Sequence, residues 1–135
     1  MDILNNTPDF EKIISDTDAN MFLKNYQDLY QEALLLKPGI ILEIGPARGT
    51  GTIVLGLAAK QNPIIEKIIT FDAFQNSRAL KSFDNVEENI SDLRNNLKKF
   101  DCEKKYYHYG CRPGRHGIDP KIPHFHAGHR CRRSS

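Results

Sequence analysis

The run Ile41-Leu42-Glu43-Ile44-Gly45-Pro46-Ala47-Arg48-Gly49-Thr50-Gly51-Thr52 holds the residues whose types and spacing best suit chemistry. An apolar, β-branched stretch feeds a glycine-rich turn, and the turn feeds an apolar, helix-forming stretch. Glycines let such a turn take positive φ and let a ligand approach the backbone closely. The helix that follows offers unpaired N–H groups and the positive end of its dipole. A turn of this kind can hold a carboxylate or a phosphate, so it does not name its ligand by itself. Two familiar patterns fail here. The dinucleotide fingerprint needs glycine at the third place of Gly-x-Gly-x-x-Gly, where Ala47 stands. The phosphate-binding P-loop needs Gly-Lys-Ser/Thr at its end, and no lysine lies in this turn. Glu43, two residues before the first glycine, would repel a pyrophosphate but could accept hydrogen bonds from an ammonium group. A second acid, Asp72, closes the next apolar run, Lys67 to Phe71. The bland alternative is a turn that serves packing alone, with Glu43 as a helix partner and Asp72 as a turn former.

These residues need a scaffold, and the hydrophobic pattern supplies one. Thr7-Pro8 reads as a helix start, with Thr7 as the cap, and a short helix to about Ser15. Asp18 is a second cap candidate. Met21, Phe22, Tyr26, Leu29, Tyr30, Ala33 and Leu34 predict a helix over Ala19 to Leu36, ended by Pro38-Gly39. Tyr26 and Tyr30 read as core, and Arg48 as a solvated loop residue. Ile40 to Ile44 predicts a buried strand, and a helix from Thr52 through Ile53 to Lys60 stops at Asn62-Pro63. Lys67 to Phe71 predicts a second strand. Leu80, Phe83, Val86, Ile90, Leu93 and Leu97 mark one face of a helix from Ser77 to about Phe100, whose charged residues from Glu87 to Lys99 form a solvated face. Lys105 to Tyr109 predicts a third strand. The order β-α-β-α-β after two helices argues for an α/β fold with a parallel sheet and right-handed crossovers.

With both motifs in view, the chain resembles the class I, Rossmann-like methyltransferases that use S-adenosylmethionine. Their first motif is an acid, any residue, then Gly-x-Gly-x-Gly or a close variant; it stands here as Glu43, Gly45, Ala47 and Gly49, with Gly51 beyond. Their second is an acid ending the next strand, matched by Asp72. More narrowly, the turn is similar to that of small-molecule O-methyltransferases. The resemblance covers roughly Leu36 to Gly110. It implies that Glu43, Gly45, Pro46, Ala47, Gly49 and Thr50 hold the methionine part of S-adenosylmethionine. It also implies that Asp72 bonds the ribose and that Ala73 and Phe74 lie against the adenine. The implied activity is methyl transfer to a small-molecule acceptor, at oxygen. The implied fold is the amino-terminal half of a methyltransferase domain. The reading of a different class is a non-catalytic module that binds S-adenosylmethionine or a nucleotide.

The resemblance stops before such a domain is complete. Where the family has an acidic pair after its third strand, Gly110 is followed by Cys111 and Arg112. No catalytic residue and no metal site can be named from the sequence. The composition changes at the same point. Cys111 to Ser135 carries a net charge of +5 and the rest of the chain −3; the tail has no asparagine but four of the five histidines. A change of reading frame would account for this, because dropping one base from codons for Gly110-Cys111-Arg112 permits Asp-Ala. The expected organisation is a helical cap over 1–38, a donor-binding β-α-β-α-β part over 39–110 and a basic, disordered tail over 111–135. The tail's Cys111, His116, His124, His126, His129 and Cys131 match no standard zinc spacing. The body is not an electrostatic match for nucleic acid. No apolar run spans a bilayer, the start lacks the features of a secretory signal, and three scattered cysteines suit a reducing, cytoplasmic setting. An open sheet edge predicts a homo-oligomer or an aggregation-prone product.

Overall fold

The computed structural model describes residues 7–72, 85–103 and 106–110. The expectations for Ala73, Phe74, the first part of the helix from Ser77, and the tail lie outside the described residues. Within them the chain forms four helices and a three-stranded parallel sheet, an α/β arrangement.

Helix α1 spans Phe10–Thr17. Its cap is Asp9, whose carboxylate accepts from the Lys12 N–H at 3.0 Å; Thr7 does not serve, because the first turn begins later than the Pro8 signal suggested. Asp18 closes this helix rather than opening the next, in a left-handed conformation at φ 50°. Residues 19–22 are then used in the turn, and helix α2 runs over Leu23–Leu34, with an extended Phe22 as its cap residue. Tyr26, Tyr30 and Ala33 recur at helical spacing and are buried, as expected of core residues. The Tyr30 ring meets Phe10 of α1 edge-on, with centroids 5.6 Å apart.

Strand β1 is Gly39–Ile44, helix α3 Thr50–Gln61, strand β2 Ile65–Asp72, helix α4 Val86–Lys99 and strand β3 Tyr106–Gly110. The strands lie in the order β1-β2-β3, and Ile41 pairs with Ile68, which pairs with Tyr106. Parallel neighbours require crossovers, and α3 and the segment containing α4 supply them. Helix α3 is apolar nearly all round, so Ile53, Val54, Ala58 and Ala59 are all but inaccessible to solvent. It is sandwiched between α2, α4 and β2. Burying side chains the size of Ile53 or Val54 is worth about 1.5–3 kcal/mol each. One core cluster joins Phe10, Tyr26 and Tyr30 to Val54, Leu55, Ile65 and Ile68; a second joins Ile13 and Ile53 to Ile90, Leu93 and Leu97. The two amino-terminal helices thus share their core with the β-α-β unit.

Strand β1 departs from the expected buried strand. Its residues alternate, and Ile40, Leu42 and Ile44 are exposed. An apolar run shows only that both faces could be buried. Here the alternate residues Ile41 and Glu43 turn toward the helices, while no described helix covers Leu42 and its row. Helix α4 matches its expectation over the described part: Ile90, Leu93 and Leu97 are buried, and Glu87, Glu88, Arg94, Lys98 and Lys99 are exposed. No helix among the described residues is long and apolar enough to cross a membrane.

Candidate functional site

The parallel register brings the two sequence-marked acids to the same end of the sheet. Glu43 pairs with Thr70, and Asp72 follows two residues on, so both stand at strand ends beside the β1–α3 turn. The turn is anchored at its start by the Gly45 N–H, which donates to the Phe71 carbonyl at 2.8 Å. It tightens where the Gly49 N–H donates to the Pro46 carbonyl at 2.7 Å. Gly45, Ala47 and Gly49 have φ of 75°, 49° and 90°. Three left-handed residues in five give the chain a reversal that L side chains resist, and Ala47 carries the conformation without being glycine. Space around Gly45 is open, whereas a Cβ on Gly49 would lie 2.4 Å from the Leu93 side chain. Helix α3 starts at Thr50, and the N–H groups of its first turn have no partners within the helix.

The carboxylates have defined partners. Glu43 Oε2 accepts from the Thr52 hydroxyl at 2.5 Å. Its other oxygen lies so close to the first turn of α3 that a Cβ on Gly51 would meet it at 2.8 Å. Burial is the main cause that raises the Glu43 carboxyl to about pH 7; the Thr52 bond opposes this and the charge of Asp72 adds to it. Asp72 Oδ2 accepts from the Ala47 N–H at 3.3 Å, tying the second strand to the middle of the turn. Glu43 is thus a partner of the first turn of α3 and Asp72 a brace of the β1–α3 turn, the roles the packing-only alternative gives them. Two carboxylates and a row of backbone donors converge on one small region.

Six of the residues named from sequence, Glu43, Gly45, Pro46, Ala47, Gly49 and Asp72, meet at this turn. Thr50 adjoins them in sequence, but its hydroxyl points to α1, sharing a buried 2.7 Å hydrogen bond with Thr17 Oγ1. Ala73 and Phe74 lie outside the described residues. Arg48 corrects the expectation of a solvated loop residue. Its side chain is largely buried, pairs with Asp18 and lies 3.9 Å from Asp92, too far for a hydrogen bond, so the buried Nε has no hydrogen-bond partner among the described residues. Asn96 of α4 donates to the Arg48 carbonyl at 2.9 Å. Helix α1 and helix α4 thus grip the turn from two sides through Arg48. Sequence reasoning missed this because Asp18 and Asp92 are 30 and 44 residues away, beyond any local spacing rule. Among the described residues no group of three His, Cys, Asp or Glu side chains could hold a metal ion.

No protein-family model matches the chain, and a search of curated proteins finds no relative.

Proposed function

We propose that this chain binds S-adenosylmethionine at the β1–α3 turn, as the donor-binding part of a Rossmann-like, class I methyltransferase acting on a small molecule at oxygen. One observation carries the reading. A turn with three left-handed residues joins a strand to a helix N-terminus, and each of two adjacent parallel strands carries a carboxylate beside it, in its last residue or the one before. The fit is chemical. Open space at Gly45 and the free end of α3 suit the donor's carboxylate. Glu43 suits its ammonium group, and Asp72 its ribose hydroxyls. The donor, when bound, supplies an activated methyl group on a sulfonium. The chain's part is to bind and orient it, since in-line transfer gains most from positioning. An ionised Glu43 holds an ammonium group more strongly than a protonated one, so donor binding strengthens as pH rises through about 7.

A second reading has its own support. The turn is satisfied internally by Thr52 and by the Asp72–Ala47 bond, and no described residue stands out as a catalytic base. That combination suits a non-catalytic module for S-adenosylmethionine or a nucleotide. Calorimetric titration with S-adenosylmethionine, with NADH and Asp72→Ala as controls, tests the shared donor site. Saturable binding, weakened about tenfold or more by the substitution and not shared by NADH, is expected. No binding of S-adenosylmethionine by a chain shown to be folded would overturn the methyltransferase reading and, for the module, leave only a nucleotide as ligand. Turnover of an acceptor would separate the enzyme from the module.

A further inference from the structure

On β1 and β2, the face turned away from α3 is an apolar surface. Ile40, Leu42 and Ile44 of β1 are 49%, 66% and 88% exposed, and Phe71 of β2 is 38% exposed. The register sets Leu42 beside Ile69 and Ile44 beside Phe71, so these side chains form adjoining rows. Lys67, paired with Ile40, is the ionisable residue in these rows, and it stands at their amino-terminal end. Glu43 and Asp72 are directed to the other face. At the amino-terminal end of β1, Leu35, Leu36 and Lys37 line a cavity of about 400 Å³ together with Ile40, Ile41 and Ile65. Parallel sheets bury both faces as a rule, and an exposed apolar patch of several hundred Å² is often an interaction site.

We infer that two copies of this chain associate by packing these open faces together about a two-fold axis. The area argues for this occupant. The four β1 and β2 side chains expose on the order of 500 Å², so two copies that cover them fully bury about 1,000 Å², where specific interfaces begin. A self-complementary apolar patch meets the requirement of an isologous contact, in which the same residues appear on both sides. The free edge of β1 offers the competing mode. Edge-to-edge pairing would satisfy backbone groups but leave Ile40, Leu42 and Ile44 in water, so the face is the stronger contact. This refines the expected association through an open edge: the outer edge of β1 is unpaired among the described residues, but the apolar surface is on the face.

Sedimentation velocity of the full chain from about 1 to 100 µM tests it, with Ile44→Lys and Leu42→Lys as variants. Both side chains stand mostly in water in the single copy, so their replacement spares the fold, which circular dichroism checks. The expected result is a dimer for the unaltered chain and at least about tenfold weaker association for either variant. A monomer at the highest concentration overturns the inference. A folded Ile44→Lys dimer of undiminished strength overturns it too, since edge pairing or the tail would then hold the copies. Small-angle scattering of the unaltered dimer decides independently of any variant. A compact particle agrees with stacked sheets, and an elongated one refutes them.

Discussion

Replacing Gly49 by alanine tests whether the turn is built as described. Gly49 has φ 90° and ψ 13°, and an L residue in the left-handed region costs about 1–2 kcal/mol. The added methyl would lie 2.4 Å from Leu93 Cδ1, about 1 Å inside ordinary contact, and Leu93 is fully buried, so its methyl yields only by repacking its neighbours. Overpacking of this kind adds about 1–3 kcal/mol. Loss of the unfolded-state freedom of glycine returns about 0.5 kcal/mol, leaving a net loss of about 1.5–4.5 kcal/mol. That is a large part of the 5–15 kcal/mol typical of a folded domain. Urea unfolding followed by circular dichroism, at one protein concentration for all variants, reads the loss. Two companions separate its causes. Gly49→Asn relaxes the conformational cost but keeps the clash, so it recovers only part of the stability. Gly49→Ala combined with Leu93→Ala removes the clash, so the double variant loses about 1–3 kcal/mol less than the sum of the singles. Losses that add to within about 0.5 kcal/mol would refute the contact between turn and helix.

The raised Glu43 carboxyl makes stability depend on pH in the direction opposite to that of a salt-bridged acid. The unfolded chain releases this proton near pH 4.5 and the folded chain near 7, so between those values the folded state holds the extra proton. Stability therefore falls as pH rises through that window, by about 2–3 kcal/mol after allowance for the group's partial exposure, and is level above it. Glu43→Gln should remove this component while keeping an oxygen for Thr52; equal pH slopes in the two proteins between pH 5 and 8 would count against it. Asn62, at the end of α3, donates through its side-chain amide to the carbonyls of Ala33, Leu34 and Leu36 at 3.2–3.3 Å, closing the end of α2. Asn62→Ala should cost about 1–3 kcal/mol in urea unfolding, and Asn62→Asp at least as much, since it sets an acceptor against three acceptors. A neutral Asn62→Asp would contradict that geometry.

The order of elements was legible because each one carries a complete local signal. The helical stripe of Tyr26, Tyr30 and Ala33, the β-branched runs and the glycine turn are all readable within a dozen residues. The convergence of Glu43 and Asp72 was legible too, once a parallel sheet was inferred, since a parallel register puts consecutive strand ends together. What the sequence hid depends on distance along the chain. The cap of α1 lies at Asp9 rather than Thr7 because the helix begins at Phe10, whose ring packs against Tyr30 of α2. The burial of Arg48 depends on Asp18 and Asp92, and the Thr17–Thr50 hydrogen bond joins residues 33 apart. The exposure of Leu42 and Ile44 was hidden for another reason: an apolar run is the same whether or not anything covers its second face.

The parallel register also governs the route by which the chain reaches this structure. No two strands can meet through a short turn. Gly39 finds Ile65 26 residues later, and Ile68 finds Tyr106 38 residues later. Each pairing must first close a long loop, whose entropy opposes it until the intervening helix packs against the sheet. Helices α1 to α4 can flicker into existence locally within about a microsecond, but the sheet must wait for them. During that wait the apolar strands stand unpaired in the solvent, where they can find strands of other chains. Crowding at synthesis, more than the final stability of the fold, is therefore the condition under which this sequence is most exposed to misassembly.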